Sequence, residues 1–89
     1  MYVVKTDALE VDFVTANMQK VAYYQVAATV LDKITLEREL KPLRAIKDNY
    51  PKTILTLDTM PVVFHNGIKQ QNVLDWLFEE LLAFTTLFF

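Results

Sequence analysis

Cysteine is missing from this chain, and glycine and histidine each occur once. Without thiols no disulfide forms, and one imidazole, His65, cannot assemble a structural zinc site or pair with a nucleophilic cysteine. His65 therefore reads as an ordinary loop residue. A phosphate-binding loop needs a glycine-rich turn whose amides cradle phosphates, and Gly67 is the only glycine available. ATP hydrolysis by this chain alone and a dinucleotide-binding loop are both excluded. The start, Met1 to Lys5, lacks a basic-then-apolar signal pattern, so the expected location is cytoplasmic. Asp75, Glu79 and Glu80 interrupt the apolar carboxyl end, leaving too short an uncharged run for the ~20 residues of a membrane span.

Within 89 residues only one core can form, and 53% apolar residues are enough to build it. The chain is expected to be a single domain over 1–89, with 78–89 as an apolar carboxyl-terminal tail. A core this small gains stability from self-association or from a neighbouring segment. The net charge of −2 argues against the broad basic surface of a general nucleic-acid binder.

The hydrophobic pattern predicts a small mixed central sheet with flanking helices in the order β-β-β-α-β-β-α. Tyr2–Lys5, Val11–Val14 and Val21–Thr29 read as strands, with a hairpin break at Asn17–Lys20. In Val11–Val14, strict alternation puts Val11 and Phe13 on one face and Asp12 and Val14 on the other. Leu36, Leu40 and Leu43 recur at helical spacing, so a helix is expected over Thr35–Asp48, capped by Asp32 or Thr35. Pro42 lacks the amide hydrogen that would bond Arg38, which predicts a kink or a late start near Lys41. Asp48-Asn49-Tyr50-Pro51 is expected to end that helix. Thr53–Leu57 reads as a buried strand reached by helical crossover, Met60–Asn66 as a loop, Ile68–Gln71 as a short strand, and Asn72 as the cap of a last helix.

Three features bear on function. Metal-dependent phosphodiester cleavage needs carboxylates that jointly hold Mg²⁺, often with a lysine to steady developing charge. Asp12 could supply one carboxylate, yet across from it Gln25 offers an amide and Ala27 a methyl. The residues alone thus favour Asp12 as a solvated strand carboxylate over a metal ligand. Glu37, Arg38, Glu39, Lys41 and Arg44 read as the exposed, ion-paired face of a helix. The last helix carries apolar residues on nearly every side, Trp76, Leu77, Leu81, Phe84 and Phe88 among them, which points to a contact surface for another chain or domain.

The segments Glu10-Val11-Asp12-Phe13-Val14, Tyr24-Gln25-Val26, Glu37–Leu43, Ile46-Lys47-Asp48-Asn49-Tyr50-Pro51-Lys52 and Leu57-Asp58, in this order, resemble the carboxyl-terminal domain of bacterial and archaeal AAA-type ATP-binding proteins, a domain of unknown function. The resemblance spans about Tyr2 to Leu77, and the Ile46–Lys52 run is its most specific part. It implies a restriction-endonuclease-like core of the PD-(D/E)XK type lacking its first helix, with Asp12 at the first acidic position. The second acid of that motif falls on Gln25 and its lysine on Ala27, so the implied nuclease motif is degenerate. It also implies that the chain is a fragment of a larger ATP-binding protein, with an ATPase module or a homo-oligomer as partner. The resulting expectation is a non-catalytic accessory domain without cofactor. The alternative is a weak Mg²⁺-dependent nuclease or nucleic-acid-binding module centred on Asp12, with Glu10 and Gln25 supplementing it.

Overall fold

A computed structural model describes residues 2–4, 11–17 and 20–88. Among these, the strands are β1 (Tyr2–Val4), β2 (Phe13–Asn17), β3 (Lys20–Ala27), β4 (Lys52–Thr56), β5 (Val63–His65) and β6 (Ile68–Asn72). The helices are α1 (Lys33–Arg44), between β3 and β4, and α2 (Val73–Phe88), after β6. The strands form one mixed sheet ordered β1-β2-β3-β4-β6-β5. β2 pairs antiparallel with β1 and β3, and β5 with β6, while β3-β4 and β4-β6 are parallel. The β3-α1-β4 connection is the expected helical crossover, which a parallel pair requires.

Side chains alternate across the sheet, so consecutive residues of β3 serve different layers. Tyr23 joins Leu40 and Leu43 of α1, Ile54 of β4 and Ile68 of β6 in the main core cluster. Tyr24, on the opposite face, stacks on Phe13 with ring centroids 4.8 Å apart and meets Trp76 of α2 edge-on at 5.2 Å. The two helices thus cover opposite faces. Leu43 and Ile54 are completely buried, and each such side chain contributes about 1.5–3 kcal/mol through removal from water.

Several expectations change in detail. β2 starts at Phe13, so Asp12 lies in the bend before it and not on a strand face. Val11 and Val14 both pack with the α1-side core, whereas Phe13 stacks on the α2 side; the bend at 11–12 breaks the alternation assumed for Val11–Val14. α1 begins two residues before Thr35, with Asp32 accepting the Thr35 amide hydrogen. A late start at Lys41 does not occur. Pro42 falls in the last turn, and the helix ends at Arg44 and not at Asp48.

The 60–66 stretch is not all loop, because Val63–His65 pairs with Ile68–Gln70 as an added hairpin. The order is therefore β-β-β-α-β-β-β-α. Asn66 and Gly67 form its turn with φ of 51° and 90°, the positive pair that a two-residue type I′ turn demands. Asn72 caps α2 as expected, its Oδ1 accepting the amide hydrogens of Leu74 and Asp75. Among the described residues no helix is long and apolar enough to cross a membrane.

Candidate functional site

The bend before β2 is fastened to β3 by three hydrogen bonds. The Asp12 amide donates to the Tyr24 carbonyl at 3.1 Å and to Gln25 Oε1 at 2.7 Å. In return, Asp12 Oδ2 accepts the Val26 amide hydrogen at 2.7 Å. Gln25 points toward α1, where its Nε2 donates to Glu39 Oε2 at 3.0 Å. Gln25 is 5% exposed, and both ends of its amide are partnered, as buried polar groups generally are.

Asp12 and Gln25 are thus brought together, while Ala27, two residues along β3, packs its methyl against the apolar cluster. Glu10 lies outside the described residues. Glu39, expected on the solvent face of α1, is instead half-buried and is the second carboxylate of this corner. The available signal was its spacing, three residues after Leu36 and four before Leu43, which puts it at the margin of the buried stripe. Elsewhere on α1 the charged face is as expected, with an Arg44–Glu37 ion pair at 2.8 Å.

A Mg²⁺ site would need oxygens free to turn toward the ion. Here Asp12 holds a backbone amide, Glu39 holds the Gln25 amide group, and Gln25 has both ends engaged. Among the described residues no group of three or more His, Cys, Asp or Glu stands close enough to share a metal. One oxygen of each carboxylate is thus committed to a hydrogen bond within the corner, and these bonds join the bend, β3 and α1.

A second polar cluster lies at the start of β4. Tyr23 Oη donates to Asp48 Oδ2 at 2.6 Å, and Lys52 Nζ donates to Asp48 Oδ1, the Asp48 carbonyl and the Tyr50 carbonyl within 3.1 Å. The bond to Asp48, with burial, pushes the Tyr23 hydroxyl up to about 12. The same bond leads the interactions that hold the Asp48 carboxyl below the usual carboxylate range. The cluster borders an open cleft of about 400 Å³ that also reaches Arg44, Asn49, Asn66 and Gly67. Its cations are already engaged, Lys52 by three acceptors and Arg44 by Glu37. The Ile46–Lys52 run therefore builds the turn into β4 and locks it to β3 through Tyr23.

At the other end of the parallel strands, Asp58 ties the loops after β3 and β4 to the end of β6. Its Oδ2 accepts the Val30 amide hydrogen at 2.9 Å, and its carbonyl accepts from Asn72 Nδ2 at 3.1 Å. The Val30 bond is the main reason its carboxyl sits below its ordinary value.

The outer side of α2 is the remaining feature. Leu74, Leu77, Phe78, Leu81 and Leu82 are all exposed, Phe78 by 61%. Trp76, anticipated as an interface residue, instead turns in against Tyr24 and Phe13. Leu77 and Leu81 do face outward, whereas the side chains of Phe84 and Phe88 lie outside the described residues. His65 belongs to β5 and pairs through Nε2 with Gln70 Oε1 at 2.8 Å.

Comparison with protein-family models, curated proteins and solved structures gave no match to this chain.

Proposed function

We propose that this chain is a non-catalytic interaction domain, the carboxyl-terminal part of an AAA-type ATP-binding protein built on a degenerate nuclease-like scaffold. The observation that carries the reading is the Gln25 amide, which spans the Asp12 amide and the Glu39 carboxylate where a nuclease of the PD-(D/E)XK type would place an acid. An amide there joins two groups, while a carboxylate would repel Glu39 and free the corner for a cation. The parentage rests on the resemblance of Glu10–Val14 and Ile46–Lys52 to that domain. An antiparallel hairpin feeding a helix and then a parallel strand is in keeping with a restriction-endonuclease-like core. The exposed apolar side of α2 supports contact with the parent's ATPase module or with a second copy.

Isothermal titration with Mg²⁺ and Mn²⁺ tests the reading. The expected result is no saturable heat at millimolar metal in either the wild type or Asp12→Ala. Binding at millimolar strength or tighter that disappears in Asp12→Ala would favour the weak Mg²⁺-dependent nuclease instead.

A further inference from the structure

Resting on the reading of the chain as an interaction domain, we infer that the outer stripe of α2 docks a basic amphipathic helix and not a second copy of this chain. Residues advance by about 100° around a helix, so Leu74, Leu77, Phe78, Leu81 and Leu82 fall within an arc of about 140°. That spacing of i, i+3, i+4, i+7 and i+8 is the pattern by which one apolar helix face engages another. Ordinarily such a face is turned inward. On α2 it is turned outward, because Trp76 is the residue that seats on the sheet aromatics.

The charges beside the stripe choose the occupant. Asp75 and Glu79 border it on one side and Glu80 on the other, and no Lys or Arg occurs between Val73 and Phe88. Lys69 approaches Glu79 only at 4.0 Å, and the Glu79 side chain keeps 56% of its exposure. Two copies joined stripe to stripe would set carboxylates of one α2 against carboxylates of the other, a like-charge contact that disfavours the pair. An anionic membrane surface meets the same repulsion. A helix with matching apolar anchors and Lys or Arg at its margins turns every flanking contact attractive.

The test uses the full chain and two synthetic helical peptides of about five turns. Both carry leucine at the same i, i+3, i+4 and i+7 positions; one has lysine along its margins and its twin has glutamate. By fluorescence anisotropy, the lysine peptide is expected to bind about tenfold tighter than the twin, since several exposed charge contacts, each weak alone, add to that ratio. Salt should reduce the preference. The double substitution Leu77→Asp and Leu81→Asp should abolish binding with helical circular dichroism retained. Asp75→Lys with Glu79→Lys should shift the preference toward the glutamate peptide.

Equal binding of the two peptides, or a preference unchanged by that charge reversal, overturns the inference. So does a concentration-dependent dimer in sedimentation, or adhesion to phosphatidylserine vesicles, that Leu81→Asp removes. The underlying reading fails separately, through metal-dependent DNA cleavage lost in Asp12→Ala.

Discussion

Replacing Gln25 by glutamate changes a single group and leaves the shape of the corner intact. Gln25 Nε2 lies 3.0 Å from Glu39 Oε2, so Gln25→Glu sets two carboxyls against each other. If both were ionised, their repulsion at an effective dielectric of about 20 would be roughly 5 kcal/mol. Protonating a carboxyl whose ordinary value is about 4.3 costs about 3.7 kcal/mol at pH 7. The smaller cost wins, so the introduced carboxyl keeps a proton and donates it to Glu39. Because Glu39 is half-buried and partly screened by water, the expected loss of stability at pH 7 is about 3 kcal/mol.

The sign with pH follows from the raised folded-state value of the introduced carboxyl. Its penalty is absent below the unfolded value near pH 4, grows by about 1.4 kcal/mol per unit as pH rises, and levels off above the folded value. Urea unfolding of wild type and variant from pH 4 to pH 8 reads this directly. A variant as stable as the wild type at pH 7, or a difference that does not change with pH, refutes the placement of Gln25 between Asp12 and Glu39.

Three further outcomes are expected. Leu43→Ala, at a position with 0% exposure, should lose about 2–5 kcal/mol in thermal or denaturant unfolding through lost burial and the cavity left behind. In an ultraviolet phenolate titration one tyrosine should resist ionisation until about pH 12, and Tyr23→Phe should remove that step. The stability tied to its raised value is complete below the unfolded value near 10 and is lost as pH rises through 12; the part tied to Asp48, whose value is lowered, is lost as pH falls through its folded value. Gln71 is 2% exposed and, among the described residues, its Oε1 has no hydrogen-bond partner. Gln71→Met should therefore be neutral or stabilising by about 1 kcal/mol in the same unfolding assay.

Much of the scaffold was legible because its signals are local. The β2-β3 hairpin, the crossover into β4 and the Asn72 cap follow from runs of β-branched residues, a helical leucine spacing and one capping side chain. Asn66-Gly67 was also a local signal, the strongest short hairpin marker there is, but Pro61 weighed the surrounding residues toward loop. The bend at Val11-Asp12 was not legible, since strict alternation cannot register a chain held off the strand by a side chain 13 residues away.

Asp12 and Gln25 were recognisable as a pair, whereas the role of Glu39 depends on how α1 is rotated against the sheet. That rotation is set by tertiary packing of Leu40 and Leu43, which a wheel of alternating charges does not reveal. The side that Trp76 takes is hidden for a similar reason. On a helix apolar all round, composition does not say which side meets the sheet, and the Phe13–Tyr24 stack decides it.

The central claim, that the Asp12 corner is a closed hydrogen-bonded clamp, is tested most directly by manganese-induced broadening of amide signals in a nuclear magnetic resonance spectrum. The account predicts no selective loss of the Val26 backbone amide or the Gln25 side-chain amide as Mn²⁺ is added. Selective broadening of both, reversed by Asp12→Ala, would contradict it.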